Sequence, residues 1–208
     1  MITSEMITRW MTACAECMTQ NNGLLTRLDA AIGDGDHGIN MARGFQTVMQ
    51  KMPATSETDI GKLFKFIGMT LLSSVGGASG PLYGTFFLQM GSATMEKTNL
   101  SLPDWATALK TGVDGVGSRG KANPGDKTMM DALIPASQEL LEASKQGCTL
   151  AEALERCVNA AQKGAEDTIP LVARKGRASY LGEHSAGHQD PGATSAWLIL
   201  KCAQETLA

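Results

Sequence analysis

Asp29-Ala30-Ala31-Ile32-Gly33-Asp34-Gly35-Asp36-His37-Gly38-Ile39-Asn40 is the stretch on which the folding of this chain turns. Upstream of it, Ile2, Met6, Ile7, Trp10, Met11, Cys14, Cys17 and Met18 recur at steps of three and four residues. That spacing predicts a core-facing helix running on through Leu24, Leu25 and Leu28 to Asp29. Downstream, Ile39, Met41, Phe45, Val48, Met49 and Met52 restart the same stripe from about Gly38. The stretch is therefore a connection between two helices, and an unusual one. Asp29, Asp34 and Asp36 fall within eight residues, and Gly33, Gly35 and Gly38 let the backbone fold back so that all three carboxylates face one point. Asp34 and Asp36 have no lysine or arginine within six residues on either side, Arg27 being seven from Asp34, and would repel each other in a packed turn; a bound Mg²⁺ removes that conflict. An isolated Asp-Gly-Asp is an ordinary turn, but the third carboxylate and the Gly-rich loops further along point to a metal site.

The remaining chain continues the helical pattern. A third helix is predicted from about Asp59 to Ser74, after a second that stops at Pro53. Gly76-Gly77-Ala78-Ser79-Gly80-Pro81 precedes a fourth, with Pro81 in its first turn, and Thr98 to Leu102 ends it. Pro103 opens a fifth helix reaching toward Gly120, and a sixth carries Met129, Ala132, Leu133, Ala136, Leu140 and Leu141 before Gly147. Thr149 and Glu152 form a capping box for a seventh ending near Thr168. A long loop, Pro170 to Gln189, leads to Asp190-Pro191-Gly192, which caps an eighth helix ending near Leu207. The expected fold is all-α, a single-domain eight-helix up-and-down bundle or barrel over residues 1–208.

Composition bounds what this bundle can do. The chain has 208 residues, of which 43% are hydrophobic and 5% aromatic, enough for one substantial core. A net charge of −3 gives no electrostatic reason to expect nucleic acid or an anionic membrane as partner. No apolar run spans a bilayer and Met1 to Trp10 lacks a signal pattern, so a cytoplasmic location is expected. Five cysteines and twelve methionines agree with a reducing compartment, and the Cys14/Cys17 pair lies within a helical stripe, where packing is the simplest role.

If eight helices alternate in direction, the connections before the second, fourth, sixth and eighth share one end. Those connections contain GDGDHG, GGASGP, NPGDKT and the long loop closed by DPG, whereas the opposite end has ordinary polar turns. The same end gathers four helix N-termini suited to phosphate oxygens, with GGASGP and its Ser79 hydroxyl as the best cradle. Arg174, Lys175 and Arg177 add cationic donors on a loop long enough to close as a lid. Carboxylates for metal, Gly-rich turn and basic loop together predict a Mg²⁺-nucleotide site. Gly120 to Thr128 is not a P-loop, since Asp126 interrupts the Gly-Lys step, and an EF-hand register from Asp34 would place Phe45 where Glu belongs. His37, beside so much negative charge, reads as a positioning residue near phosphate rather than a nucleophile, and His184 and His188 read as solvated loop residues.

The spacing D-x4-D-x-D-H-G, followed by SSVGGASGPLYGTFF, SRGKANPGDKTMMDAL and ARKGRASYLGEHSAGHQDPGATS, resembles the nucleotide-binding L subunits of bacterial phosphotransferase-dependent dihydroxyacetone kinases over nearly the whole chain. The resemblance implies an eight-helix barrel binding ADP at one mouth through two Mg²⁺ ions. By position it implies Asp29, Asp34 and Asp36 as metal ligands, and His37, Gly38, Ile39, Asn40, Ala78 and Ser79 along the phosphates. Gly120, Met129, Arg177, Asp190, Pro191 and Gly192 would complete the pocket, with Arg177 as the catalytic cation. It further implies tightly bound ADP/ATP recharged by a phosphohistidine-carrying phosphotransferase subunit, and dihydroxyacetone held on a separate kinase subunit. Two other readings share the pocket: an ATP-dependent kinase subunit for another small ketose or polyol, and a regulatory adaptor that senses nucleotide state.

Overall fold

The computed structural model describes residues 1–52 and 58–208. Its elements in chain order are β1 (Ile2–Thr3), α1 (Ser4–Gln20), α2 (Asn22–Ile32), α3 (His37–Lys51), α4 (Ile60–Ser74), α5 (Ser79–Ala93), β2 (Asn99–Leu100), α6 (Leu102–Gly120), α7 (Met130–Lys145), α8 (Leu150–Glu166), a 3-10 segment (Arg177–Ser185) and α9 (Pro191–Leu207). Pro53, expected to stop the second helix, lies outside the described residues.

From α3 to α9 each helix packs against the next, α9 returns to α1, and α1 packs on α3, which closes a ring of eight helices. The second helix, α2, lies outside that ring, against α3 and α9. The fold is thus all-α. No helix among the described residues is long and apolar enough to cross a membrane.

Two features depart from the sequence reading. The predicted first helix is two, because Asn21 leaves helical geometry (φ −94°, ψ 6°) and turns its amide back onto the Cys17 carbonyl at 2.9 Å. Asn side chains compete for backbone groups in this way, yet a one-residue break leaves the apolar stripe almost in phase, so periodicity passes over it. The second departure is the two-residue antiparallel ribbon pairing Ile2 with Leu100 and Thr3 with Asn99. Both apolar members are fully buried, and the pairing is a contact between distant parts of the chain that no local pattern signals.

Caps define the helix starts. Asp59 accepts from the Lys62 amide to begin α4, and capping boxes begin α6 (Ser101 with Asp104) and α8 (Thr149 with Glu152). The few aromatic residues concentrate inside the ring: Trp10 meets Trp105, Phe87 and Phe64 at centroid separations of 5.4, 5.6 and 6.3 Å. The Trp10 indole N–H donates to the Ile199 carbonyl at 2.9 Å, tying α1 to α9 where the ring closes. Between α4 and α5 the backbones nearly touch: a Cβ on Gly84 would sit 2.9 Å from Leu72 Cβ and 3.0 Å from the Gly68 carbonyl.

Candidate functional site

All four unusual linkers contribute to one cavity of about 190 Å³ at one end of the ring. The first supplies Asp29, Gly33, Asp34, Asp36 and His37; the second, Gly76 to Ser79; the third, Lys127 to Met129; the fourth, Lys175 to Ala178 and Asp190 to Gly192.

Asp29 lies in the last turn of α2 and organises the loop that follows. Its Oδ2 accepts the amide hydrogens of Asp36 (2.9 Å) and His37 (3.1 Å), so the chain wraps around its carboxylate. Gly33 leaves room for that carboxylate, since a Cβ there would fall 2.2 Å from Asp29 Oδ1. The result brings one oxygen from each of Asp29, Asp34 and Asp36 within 4.8 Å of one another. Three hard oxygen donors, two of them solvent-exposed and so able to share a cation with water and phosphate, fit Mg²⁺. Arg177, on the 3-10 segment, places Nη2 3.1 Å from Asp34 Oδ2.

Behind the acids lies a buried polar chain. His37 Nδ1 faces Ser79 Oγ at 3.1 Å and Nε2 faces Ser195 Oγ at 2.8 Å. Ser195 in turn meets Tyr83 Oη at 2.7 Å, and the Tyr83 hydroxyl donates to the Gly192 carbonyl at 3.3 Å. Burial lowers the His37 pKa below its usual value, against the pull of Asp29 and Asp36, so the ring is neutral near pH 7. Burial likewise raises the Tyr83 phenol. Both imidazole nitrogens are committed to serine hydroxyls, which orients the ring and fixes the Ser79 hydroxyl at the cavity wall.

The helix N-termini at this end are not equivalent. Asp190 caps α9, accepting from the Ala193 amide at 2.7 Å, and Asp29 takes the first amide of α3. Thr128 Oγ1 accepts the Met130 amide at the start of α7. Only α5, beginning after Ala78, lacks a side-chain acceptor among the described residues, which leaves its first turn as the open anion cradle. Desolvation pushes the fully buried Asp190 carboxyl up to about 7, although Lys127 and the Ala193 amide pull it down.

Eleven residues anticipated for the site line the cavity, namely Asp29, Asp34, Asp36, His37, Ala78, Ser79, Met129, Arg177, Asp190, Pro191 and Gly192. Four lie outside its lining. Gly38 is pressed against α2, where a Cβ would meet the Asn22 carbonyl at 2.1 Å; Ile39 is 53% exposed. Asn40 accepts from Arg43 at 2.7 Å, and Gly120 ends α6 next to Leu82, a lining residue. Sequence reasoning overlooked Tyr83, Ser195 and Lys127. Tyr83 and Ser195 each stand four residues into a helix from Ser79 and Pro191, a spacing that puts them on the cavity face and was legible. Lys127 carried no such signal, because its role depends on contacts far along the chain. His184 and His188 are exposed. The neighbouring Cys202 thiol and burial together raise the Cys17 thiol, which disfavours a thiolate at that position.

A DAK2 domain profile matches residues 31–205. The chain belongs to the DAK2 domain family. Among DAK2 relatives, the "PEP-dependent dihydroxyacetone kinase, ADP-binding subunit DhaL" of Escherichia coli is 50% identical over 94% of this chain and 93% of its own length. A Listeria innocua relative, "PEP-dependent dihydroxyacetone kinase 2, ADP-binding subunit DhaL", is 45% identical over 88% and 85%. The solved dihydroxyacetone kinase of C. freundii, in complex with AMP-PNP and Mg2+, superposes with a TM-score of 0.72 at 30% identity. That match covers 94% of this DAK2 chain but only 33% of the larger kinase chain.

Proposed function

We propose that this chain is the ADP-binding subunit of a dihydroxyacetone kinase driven by a phosphohistidine phosphotransferase protein, working in the cytoplasm. The single observation that carries the reading is the meeting of the Asp29/Asp34/Asp36 trio with the open N-terminus of α5 and the Arg177 cation in one cavity. The names carried by full-length DAK2 relatives support it.

In this reading Asp29, Asp34 and Asp36 would hold two Mg²⁺ ions, which would supply charge neutralisation for phosphoryl transfer. The chain's own groups do the positioning. First-turn amides of α5 and the Ser79 hydroxyl receive phosphate oxygens, and neutral His37 holds that hydroxyl in place. Arg177 sits on a segment that closes over the acids, and its guanidinium offsets the negative charge that Asp34 and a diphosphate bring together. At the start of α9 Pro191 has no N–H and the Ala193 amide donates to Asp190, so that wall shapes the pocket more than it binds anions. Every specialised loop is used on the nucleotide side, so dihydroxyacetone is held by a separate kinase subunit and the phosphoryl donor is a second partner that recharges ADP while it stays bound.

The test is co-purification and turnover. Protein isolated gently in Mg²⁺ is expected to carry ADP and, mixed with a dihydroxyacetone-binding subunit and a phosphohistidine donor, to yield dihydroxyacetone phosphate. Asp34→Ala should lose at least about tenfold in nucleotide retention and turnover, while Lys110→Ala, at an exposed ion pair, should lose neither. Equal behaviour of the two variants sinks the metal assignment.

A further inference from the structure

Lys127 is 1% exposed, although it carries an ammonium group. Its backbone adopts φ +62°, the left-handed region that favours glycine, so the position is occupied for its side chain and not for its backbone preference. Nζ donates to two carbonyls, that of Thr168 at 2.5 Å and that of His188. Those two residues are the feet of the segment 169–189, which carries Lys175 and Arg177 over the cavity.

Other bonds meet at the same neck. The Gly187 amide donates to the Ile169 carbonyl at 2.7 Å and the Asp190 amide to Thr168 Oγ1 at 2.9 Å. From the same linker as Lys127, the Asp126 carbonyl accepts the Arg174 amide at 3.1 Å. Two carbonyls converging in a buried space repel each other and lack water, and a single ammonium satisfies both. Burial lowers the Lys127 pKa, but the nearby Asp190 and Asp131 carboxylates oppose that and favour the charged form.

We propose that Lys127 is a positioning residue whose ammonium staples the two feet of the 169–189 segment and thereby holds Arg177 over the Asp34 carboxylate. The linker that looks like a failed phosphate loop is then the anchor of the lid. The proposal deepens the nucleotide-site reading and rests on it for its effect on ADP, but not for its effect on the lid itself.

Two measurements separate those layers. Hydrogen exchange on the metal-free chain asks about the staple alone: in Lys127→Met, exchange at the Arg174 and Gly187 amides should rise about tenfold or more, with α1, α4 and α6 unchanged. ADP release in Mg²⁺ asks about function: Lys127→Met and Arg177→Ala should each speed release about tenfold, and the double variant should release no faster than the faster single one. Lys127→Arg should recover part of the loss, and Lys127→Gln serves the same comparisons if the Met variant does not fold. Unchanged exchange at the neck, exchange raised throughout the helices, or multiplying effects in the double variant would each overturn the staple. Wild-type protein that retains no ADP would instead overturn the nucleotide reading, leaving the exchange experiment to judge Lys127.

Discussion

Asp190 shows how one side chain is asked to do two incompatible things. It caps α9 as an acceptor and lines the cavity, yet it is buried beside other carboxylates, Asp131 and Asp29, and its pKa rises from 3.8 to about 7. An acid whose folded pKa exceeds its unfolded one binds its proton more tightly in the folded state. Stability is therefore greatest below the unfolded value, declines as pH rises from about 4 to about 7, and levels off above that. Asp190→Asn keeps the cap and removes the titration. Urea unfolding of the metal-free protein across this window should show the wild type losing, relative to the Asn variant, on the order of 4 kcal/mol at most, with the titrations common to both cancelling in the difference. Parallel pH profiles for the two would contradict this account. The convergence of Asp29, Asp34 and Asp36 was legible because three acids spaced by glycines between two helical stripes can fold back toward one point. The hydroxyl chain Ser79–His37–Ser195–Tyr83 was not, because hydroxyl and imidazole partners are chosen by which helices become neighbours.

Among the helices, the α4/α5 pair depends most visibly on missing side chains. Gly84 lets two backbones approach until a methyl group has no room against Leu72 and the Gly68 carbonyl. Gly84→Ala should thus cost about 1–3 kcal/mol by overpacking, read as a lower urea midpoint at unchanged slope. Its Tyr83 neighbour faces the site, so a shift of α5 should also weaken ADP retention. Seven of the eight anticipated helices appear as such, since three- and four-residue apolar steps survive whatever packs against them. The exception, the break at Asn21, turns on one residue whose backbone choice no periodicity records. That break matters, because it frees α2 to leave the ring and carry Asp29 to the cavity mouth.

As a whole the ring brings four distant linkers to one rim, and the binding of a ligand there should stabilise the entire molecule. With Mg²⁺ and ADP at about a hundredfold above the dissociation constant, linkage gives about 2.7 kcal/mol, seen as a raised thermal midpoint that Asp34→Ala no longer shows. An equal rise in both proteins would mean that nucleotide binds without the acid trio. Helical content, the alternation that collects GDGDHG, GGASGP, NPGDKT and DPG at one end, and the acids themselves follow from local spacing and composition, because those patterns act over a few residues. Which helix N-terminus stays open, which amides Asp29 captures, and where the Lys127 ammonium finds its two carbonyls depend on the closed ring. Those are contacts between segments far apart in the chain, and they take their geometry only when the whole core has packed.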